Sequence, residues 1–200
     1  MKLILASNNA AKLEEMREIL SDLGVEVLSQ REAGCYFEVE ETGATFEENA
    51  FLKADAVTKA TGLPAVADDS GLMVEALEGA PGIYSARFTG NHEDSDEARN
   101  AFLLQKLEGV ENRRAKFVSC VCCTFPNGDV LRTRGEMHGS IALSPRGSAG
   151  FGYDPLFLSD DYPGRTNGEL GPGEKNAVSH RGKAVRKFAE ELRNYQNAHK

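Results

Sequence analysis

The chain has 200 residues, of which 40% are apolar and 27% are charged, and these fractions exclude a disordered, collagen-like or membrane-spanning chain. Its 31 acidic residues outnumber its 23 lysines and arginines, so the net charge of -8 repels polyanions and argues against nucleic acid as a partner. An anionic ligand must therefore be held by a few placed cations, by backbone amides or by a metal ion.

Neither a membrane helix nor an export signal is indicated. No segment has the roughly 18 uninterrupted apolar residues of a membrane helix, and the apolar run at the N-terminus is too short for a secretory signal. The sequence shows no internal repeat and no linker rich in proline, glycine or serine. We therefore expect a cytoplasmic protein without membrane contact, in which residues 1–200 form one domain.

The four cysteines are predicted to be free thiols. Cys120, Cys122 and Cys123 stand almost together and Cys35 lies far from them, so none has the paired spacing of a zinc site. A disulfide is disfavoured in the reducing cytoplasm.

The chain opens with a strand followed by a helix. Residues 3–6 are a short apolar run, and apolar residues then recur at helical spacing from Leu13 to Leu23, before Gly24. The junction between them, residues 7–12, offers backbone amides, small polar side chains and one lysine to a phosphate. An ordinary N-cap and turn is the alternative interpretation.

A second helix is predicted to begin after Thr45, which forms a capping box with Glu48, and to end at Gly62. The apolar residues 65–67 follow as a buried strand. We expect this strand to end there and to place two aspartates, residues 68–69, at its carboxyl end, where open α/β sheets usually hold ligands.

Two acidic pairs are candidate metal ligands. Asp68 and Asp69 repel each other unless a cation or several amide donors compensate their charge. Mg²⁺ takes one or two protein carboxylates and completes its shell with water and phosphate oxygens, so it suits this pair, although an Asx-turn into Ser70 is equally consistent. Glu40 and Glu41 form the second pair before a helix, where a solvated acidic loop is the alternative.

The second half of the chain contains a strong hairpin pattern. After a helix predicted to start with the capping pattern of residues 94–97, strands are expected at residues 116–125 and 130–137, joined by the turn 126–129. A terminal amphipathic helix follows its N-cap at Ser179. Early alternation of strands and helices, followed by a hairpin, predicts a mixed α/β fold with a partly antiparallel sheet.

Two segments near the C-terminus suit a heterocycle. Residues 151–155 supply two rings, a flexible glycine and a carboxylate, although aromatic residues in such a run are more often core. Lys175 and residues 179–181 add hydrogen-bond donors at the start of the last helix, where cations oppose the helix dipole. The planar guanidinium of Arg181 in particular can donate several hydrogen bonds to a carbonyl-rich base or to a phosphate. The alternative interpretation of this segment is an exposed basic turn.

Six blocks stand in order along the chain: Ser7-x-Asn9-x-x-Lys12, the ETGATF to KA segment at residues 41–54, ADDSGL at 67–72, PGIYSAR at 81–87, FGYDP at 151–155 and SHRG at 179–182. Together they closely resemble the inosine/xanthosine triphosphate pyrophosphatase family over nearly the whole chain. The resemblance implies Mg²⁺-dependent hydrolysis of ITP, dITP and XTP to the monophosphate and pyrophosphate. It also implies a homodimer with an elongated mixed β-sheet flanked by helices, and two lobes with a central active-site cleft.

The resemblance also assigns roles to residues. Asp69 is the expected base and Mg²⁺-linked carboxylate, with Glu41 or its neighbour Glu40 as second ligand and Asp68 in support. The triphosphate is assigned to Lys53, Ser70, Ser7, Asn8, Asn9, Ala10, Ala11 and Lys12. The base is assigned to Phe151, Gly152, Tyr153, Asp154, Lys175, His180 and Arg181. The family usually has threonine at position 7 and often glycine at position 8, and residues 164–173 match it little, so no role is assigned there.

Three other functions stay open from the sequence. A Maf-type nucleotide pyrophosphatase would have the same general fold and would also use a metal, but it would prefer other bases. The blocks at residues 151–154 and 179–181 argue against this alternative. A non-catalytic nucleotide sensor would bind ITP with Mg²⁺ and release no pyrophosphate. A plain phosphatase would release orthophosphate.

Overall fold

The structure, a computed structural model, describes residues 1–91 and 93–199. In chain order its main elements are β1 (Lys2–Leu5), α1 (Ala10–Leu20), β2 (Glu26–Ser29), α2 (Phe46–Thr61), β3 (Ala65–Val74), α3 (Asp96–Lys106), β4 (Arg114–Thr124), β5 (Val130–Ile141), β6 (Phe157–Ser159), α4 (Pro172–Val178) and α5 (His180–Ala198). Within the described ranges, no helix combines the length and the apolar character needed to cross a membrane.

The strands form one mixed sheet in the order β2-β1-β3-β4-β5-β6. β1 runs parallel to β2 and to β3, with Leu5 opposite Val66, whereas β5 and β6 are antiparallel. The predicted hairpin is formed by β4 and β5, whose turn is closed by the bond from Phe125 N–H to the Asp129 carbonyl at 3.0 Å. The mixed α/β class predicted from the sequence is confirmed.

The chain divides into two compact units. The first comprises Met1–Asp69, Ser119–Arg134 and Lys183–Lys200, and the second comprises Ser70–Val118 and Gly135–Gly182. Each unit has its own apolar core. The assignment of residues 1–200 to one domain stays a prediction.

The core of the first unit forms around the apolar run that the sequence places in the first strand. Leu3 and Leu5 are fully buried and belong to one cluster with Met16, Leu20 and Phe188. Met16 and Leu20 are four residues apart on α1, so they share the helix face that covers β1. The core therefore packs α1 and α5 against β1.

Helix ends in the first unit follow the predicted signals. Asn9 caps α1 by accepting the Lys12 N–H at 3.1 Å, and Thr45 caps α2 by accepting the Glu48 N–H at 3.1 Å. α2 ends at Gly62, which has φ 67° and so takes the left-handed conformation that favours glycine.

The strand predicted at residues 65–67 is longer than expected. β3 continues to Val74 because Leu72 and Val74 are fully buried and extend its inward face. Asp68 and Asp69 therefore lie inside the strand, so the prediction that they follow its end is wrong. Since β1 stops at Leu5, both carboxylates lie beyond the parallel pairing of β1 with β3.

The start of α3 also differs from the prediction. Ser95, and not Asp94, is the N-cap, because its hydroxyl accepts the Ala98 N–H at 3.2 Å. The Asp94 carboxylate instead accepts a hydrogen bond from the Asn91 side chain at 3.1 Å. The N-cap predicted for α5 is confirmed, since the Ser179 hydroxyl accepts the Gly182 N–H at 3.0 Å.

The cysteines behave as the sequence predicts. All four are free and buried. Burial raises the pKa of the Cys122 thiol to about 11, and it raises the pKa of Cys123 as well. Such thiols remain protonated and serve as small apolar core side chains.

Candidate active site

The first unit carries five ionisable side chains in close contact, which we call the charged cluster: Lys12, Glu41, Lys53, Asp68 and Asp69. The Lys12 ammonium lies 2.8 Å from the Asp68 carboxylate, which is 4% exposed. The Lys53 ammonium lies 2.8 Å from Glu41 and 3.4 Å from Asp69. With three carboxylates and two ammonium groups, the cluster has one net negative charge when all are ionised.

Helix α2 orients the Asp69 carboxylate. Asn49 and Lys53 are four residues apart and so project from the same helix face. The Asn49 side-chain amide donates to Asp69 Oδ2 at 3.3 Å, and the Lys53 ammonium donates to Oδ1 at 3.4 Å. Both oxygens of Asp69 are therefore held by one helix.

The environment of Asp69 favours its protonated form. Burial raises the pKa of Asp69, and this effect together with repulsion from Glu41 outweighs the opposing attraction of Lys53. Burial alone would lower the pKa of Lys53, but the charges of Asp69 and Glu41 raise it above the ordinary value. Lys53 thus stays cationic, and Asp69 holds a proton more readily than an ordinary aspartate.

The junction between β1 and α1 uses its polar side chains locally. The Ser7 hydroxyl accepts the Asn9 N–H at 3.1 Å, and the Asn8 side chain accepts the Arg31 N–H at 3.2 Å. Ala10 and Ala11 are exposed in the first turn of α1. The backbone at the N-terminus of this helix is therefore open to an anion, while the side chains shape the turn.

The carboxylates of the charged cluster suit Mg²⁺. Oxygen ligands are those that Mg²⁺ prefers, and this ion commonly takes one or two protein carboxylates together with water and substrate phosphate. Asp69 and Glu41 supply two such groups, both in contact with the Lys53 ammonium, whereas Glu40 is exposed. Across residues 1–91 and 93–199, no group of three or more His, Cys, Asp or Glu side chains could hold a metal ion.

The second unit contains a cavity of about 220 Å³, which we call the aromatic cavity. Eight residues that the sequence singled out line it: Ser70, Phe151, Gly152, Tyr153, Asp154, Lys175, His180 and Arg181. Ser70 is among them although the resemblance assigned it to the triphosphate. The structure therefore brings together the two C-terminal segments predicted to suit a heterocycle.

Asp154 organises one wall of the aromatic cavity. Its carboxylate is buried and accepts hydrogen bonds from Lys175 at 2.5 Å and from the Phe151 N–H at 2.9 Å. The Lys175 ammonium also lies 4.8 Å from the centroid of the Phe151 ring, which is 66% exposed. An exposed ring beside a fixed cation is suited to stacking on a flat, electron-rich ligand.

A further part of the cavity wall comes from residues to which the sequence gave no role. Tyr153 donates its hydroxyl to the Ser85 carbonyl at 2.8 Å, and the Ser85 hydroxyl accepts the Leu72 N–H at 2.9 Å. Burial raises the pKa of Tyr153, so its hydroxyl remains a donor. Ser85 belongs to the PGIYSAR block. The sequence shows that this block resembles the family, but it does not show that Ser85 contacts Tyr153.

Helix α3 holds the loop that contains Gly152. Asp96 accepts the Gly152 N–H, and Asn100 donates to the Gly152 carbonyl at 3.0 Å. Asp96 and Asn100 are four residues apart, so one helix face binds both backbone groups of this glycine. The sequence shows the spacing of Asp96 and Asn100, but it does not show that these two side chains bind the distant loop that contains Gly152.

The fold places the chain among mixed α/β proteins, and comparison with known proteins gives the family. The Ham1 family model matches residues 3–191, and the chain belongs to this family. Membership confirms the resemblance that the six sequence blocks carry.

Similar proteins cover almost the whole chain. A dITP/XTP pyrophosphatase of Exiguobacterium sp. is 50% identical over 192 residues, covering 96% of this chain and 97% of the relative. A dITP/XTP pyrophosphatase of Aquifex aeolicus is 47% identical over 206 residues, covering 99% of this chain and 100% of the relative. The solved structure of a HAM1 protein from Coxiella burnetii has a TM-score of 0.91 and 42% identity, covering 96% and 98% of the two chains.

Proposed function

We propose that the chain hydrolyses the non-standard purine nucleoside triphosphates ITP, dITP and XTP to the monophosphate and pyrophosphate. The geometry of Asp69 carries the proposal, because a half-buried carboxylate with a raised pKa and two oriented oxygens is suited to take a proton from water. The names of the similar dITP/XTP pyrophosphatases support the same reaction.

In this proposal the charged cluster performs the chemistry. Asp69 orients a water molecule and removes its proton as the water oxygen attacks the phosphorus nearest the sugar. The bond from that phosphorus to the bridging oxygen breaks, and pyrophosphate leaves with the bonding electrons. Lys12 and Lys53 bind phosphate oxygens and stabilise the negative charge that develops on them. The exposed first turn of α1 adds backbone donors to the same phosphates.

Asp69 and Glu41 are the residues that would hold Mg²⁺, with Glu40 as the alternative second ligand. When bound, the ion would neutralise phosphate charge and favour loss of a proton from water. Because Lys53 contacts both carboxylates, they remain compensated when no metal is bound.

The aromatic cavity is the proposed base site. A 6-oxo purine presents a hydrogen-bond acceptor where adenine presents an amino group. Lys175 and Arg181 carry only donors, so they can pair with the oxo group and would face the amino group of adenine without a bond. The Phe151 ring supplies a stacking surface.

The assembly and location of the protein also belong to the proposal. A homodimer is implied by the resemblance. Sedimentation of the purified chain over a range of concentrations measures the mass of the assembly and so tests this. We place the protein in the cytoplasm, where free cysteines and a soluble nucleotide substrate are both expected.

Pyrophosphate release from purified protein tests the function. ITP, dITP, XTP and ATP are supplied separately with and without Mg²⁺, and pyrophosphate and orthophosphate are measured together. We expect rapid pyrophosphate release from the three 6-oxo substrates, only slow release from ATP, and release only with Mg²⁺. Orthophosphate as the first product would show a plain phosphatase, and ITP binding without any product would show a sensor.

A further inference from the structure

Residues 164–173, to which the sequence assigned no role, include a buried asparagine that contacts the wall of the aromatic cavity. Asn167 is 1% exposed, and its side-chain amide donates to Asp154 Oδ1 at 3.1 Å. The next residue, Gly168, donates its N–H to the Asp154 carbonyl at 2.9 Å. This segment therefore binds both the side chain and the backbone of Asp154.

Asp154 links Asn167 to the groups that line the cavity. Asn167 occupies one carboxylate oxygen, while Lys175 and the Phe151 N–H occupy the other. A carboxylate can turn about its bond to the β-carbon, so a donor on each oxygen is needed to fix its plane. Fixing that plane also fixes the position of the Lys175 ammonium, which is 2.5 Å away.

The amide of Asn167 is only partly satisfied. Its Oδ1 is buried and has no hydrogen-bond partner among residues 1–91 and 93–199. A buried polar atom without a partner costs free energy, so the acceptor half of this amide does not stabilise the fold. The donor half of the amide therefore explains why an asparagine stands here.

We propose that Asn167 is a positioning residue for base recognition, which acts through Asp154 on Lys175 and Phe151. The inference rests on the proposed function, since it requires the aromatic cavity to bind the purine base. Without the Asn167 donor, Asp154 turns and Lys175 is no longer held where it meets the 6-oxo group. The charged cluster is unchanged, so the chemical step itself is kept.

The test compares Asn167→Leu, which has a similar size but no donor, with Thr166→Val as the matched control. Thr166 is the adjacent residue, is also fully buried, and donates its hydroxyl to the Arg146 carbonyl at 2.7 Å. Both substitutions thus remove side-chain hydrogen bonds from the same buried segment, but only Asn167→Leu removes a donor to Asp154. Values of kcat and KM are measured for ITP and ATP with the two variants and the wild-type protein.

We expect Asn167→Leu to lower the ratio of kcat/KM for ITP over ATP by about tenfold, mainly through a higher KM for ITP. Thr166→Val should keep that ratio within twofold. A general loss of folded protein would lower kcat for both substrates and leave the ratio unchanged. An unchanged ratio in Asn167→Leu, or an equal change in both variants, would overturn the inference.

The wild-type measurement separates this inference from the function beneath it. If the wild-type protein releases pyrophosphate selectively from ITP and Asn167→Leu does so equally well, only the role of Asn167 is wrong. If the wild-type protein shows no selective release, the proposed function and the inference both fail. Asn167→Ala, which adds no bulk and also lacks the donor, replaces Asn167→Leu if the leucine variant does not fold, with the same expected ratio.

Discussion

Asp69 combines two properties that oppose each other. As the proposed general base, Asp69 must be ionised to accept a proton, yet burial and the nearby Glu41 disfavour its charge. Lys53 and Asn49 compensate in part by donating to its two oxygens. The result is a carboxylate that is fixed in orientation and binds a proton more strongly than an exposed aspartate.

Asp69→Asn should lower pyrophosphate release at least about 100-fold, because it removes both the proposed base and a negative charge at the proposed metal ligands. Steady-state assay with ITP measures the loss. Asp55→Asn is the matched control, since it removes another carboxylate that is paired with a lysine, Lys59, at 2.6 Å. The control should keep wild-type turnover, and activity of Asp69→Asn within tenfold of wild type would rule out the assignment.

The same substitution should not weaken the fold at neutral pH. Because the pKa of Asp69 is raised in the folded state, its ionised form destabilises that state above this pKa, and the penalty disappears as the pH falls below the unfolded pKa. Asn carries no charge, so Asp69→Asn is expected to have a Tm at pH 7 that equals or exceeds the wild-type value. Thermal unfolding between pH 3 and pH 7 measures this difference. It should shrink towards pH 3, and a lower Tm for the variant at pH 7 would contradict the raised pKa.

At the scale of elements, α2 acts as the support for Asn49 and Lys53, and a buried contact fixes it to β4. The Thr58 hydroxyl lies 2.7 Å from the Thr124 hydroxyl, and both residues are buried. A displaced α2 would move both donors of Asp69 together. Loss of this contact would therefore disturb the geometry of the charged cluster.

Thr58→Val should destabilise the protein by about 1–2 kcal/mol, because it leaves a buried hydroxyl on Thr124 without this partner. The double variant Thr58→Val, Thr124→Val should recover part of that loss, since two apolar groups of the same shape then meet while the Thr124 carbonyl still lacks the Thr58 hydroxyl. Urea unfolding of the single and double variants measures both effects. Additive losses in the double variant would show that the two hydroxyls do not act as a pair.

The sequence predicts some elements well because their signals are local. α1, α2 and α5 each have a polar N-cap and an apolar face, and these features depend on neighbouring residues alone. β3 was cut short because the run from Asp68 to Gly71 has low strand propensity, and only the burial of Leu72 and Val74 reveals its continuation.

The candidate site shows the same division between local and distant signals. Phe151 to Asp154 and His180 to Arg181 were found because unusual side chains cluster in the sequence, and the structure places them around one cavity. Asn100 and Asn167 were missed because an isolated asparagine looks like an ordinary polar residue, and Asn49 lay in the matching block at residues 41–54 without a predicted role. Each acquires its role from a partner far along the chain.

At the scale of the whole molecule, a net charge of -8 requires that a triphosphate be bound by specific cations. Lys12 and Lys53 stand in the charged cluster of the first unit, and Lys175 and Arg181 line the aromatic cavity of the second. The proposal assigns phosphates to the first pair and the base to the second pair. Substitutions in the first pair should then affect all triphosphates alike, whereas substitutions in the second pair should change the preference among bases.

Lys12→Ala should lower kcat/KM for every triphosphate by a similar factor, on the order of 1.5–3 kcal/mol, because it removes a contact to phosphates that all substrates share. Arg181→Ala should lower kcat/KM for ITP more than for ATP, because only the 6-oxo base uses this donor. Both variants are assayed on both nucleotides. A changed base preference in Lys12→Ala together with an unchanged one in Arg181→Ala would reverse the assignment of the two ends of the substrate.

Competition between ITP and ATP in one reaction tests most directly whether the protein is a selective pyrophosphohydrolase. Equal concentrations of the two nucleotides are incubated with the protein and Mg²⁺, and all phosphorus-containing species are followed by ³¹P NMR. IMP and pyrophosphate should accumulate in equal amounts while ATP remains. Early orthophosphate, or consumption of ATP at the rate of ITP, would contradict it.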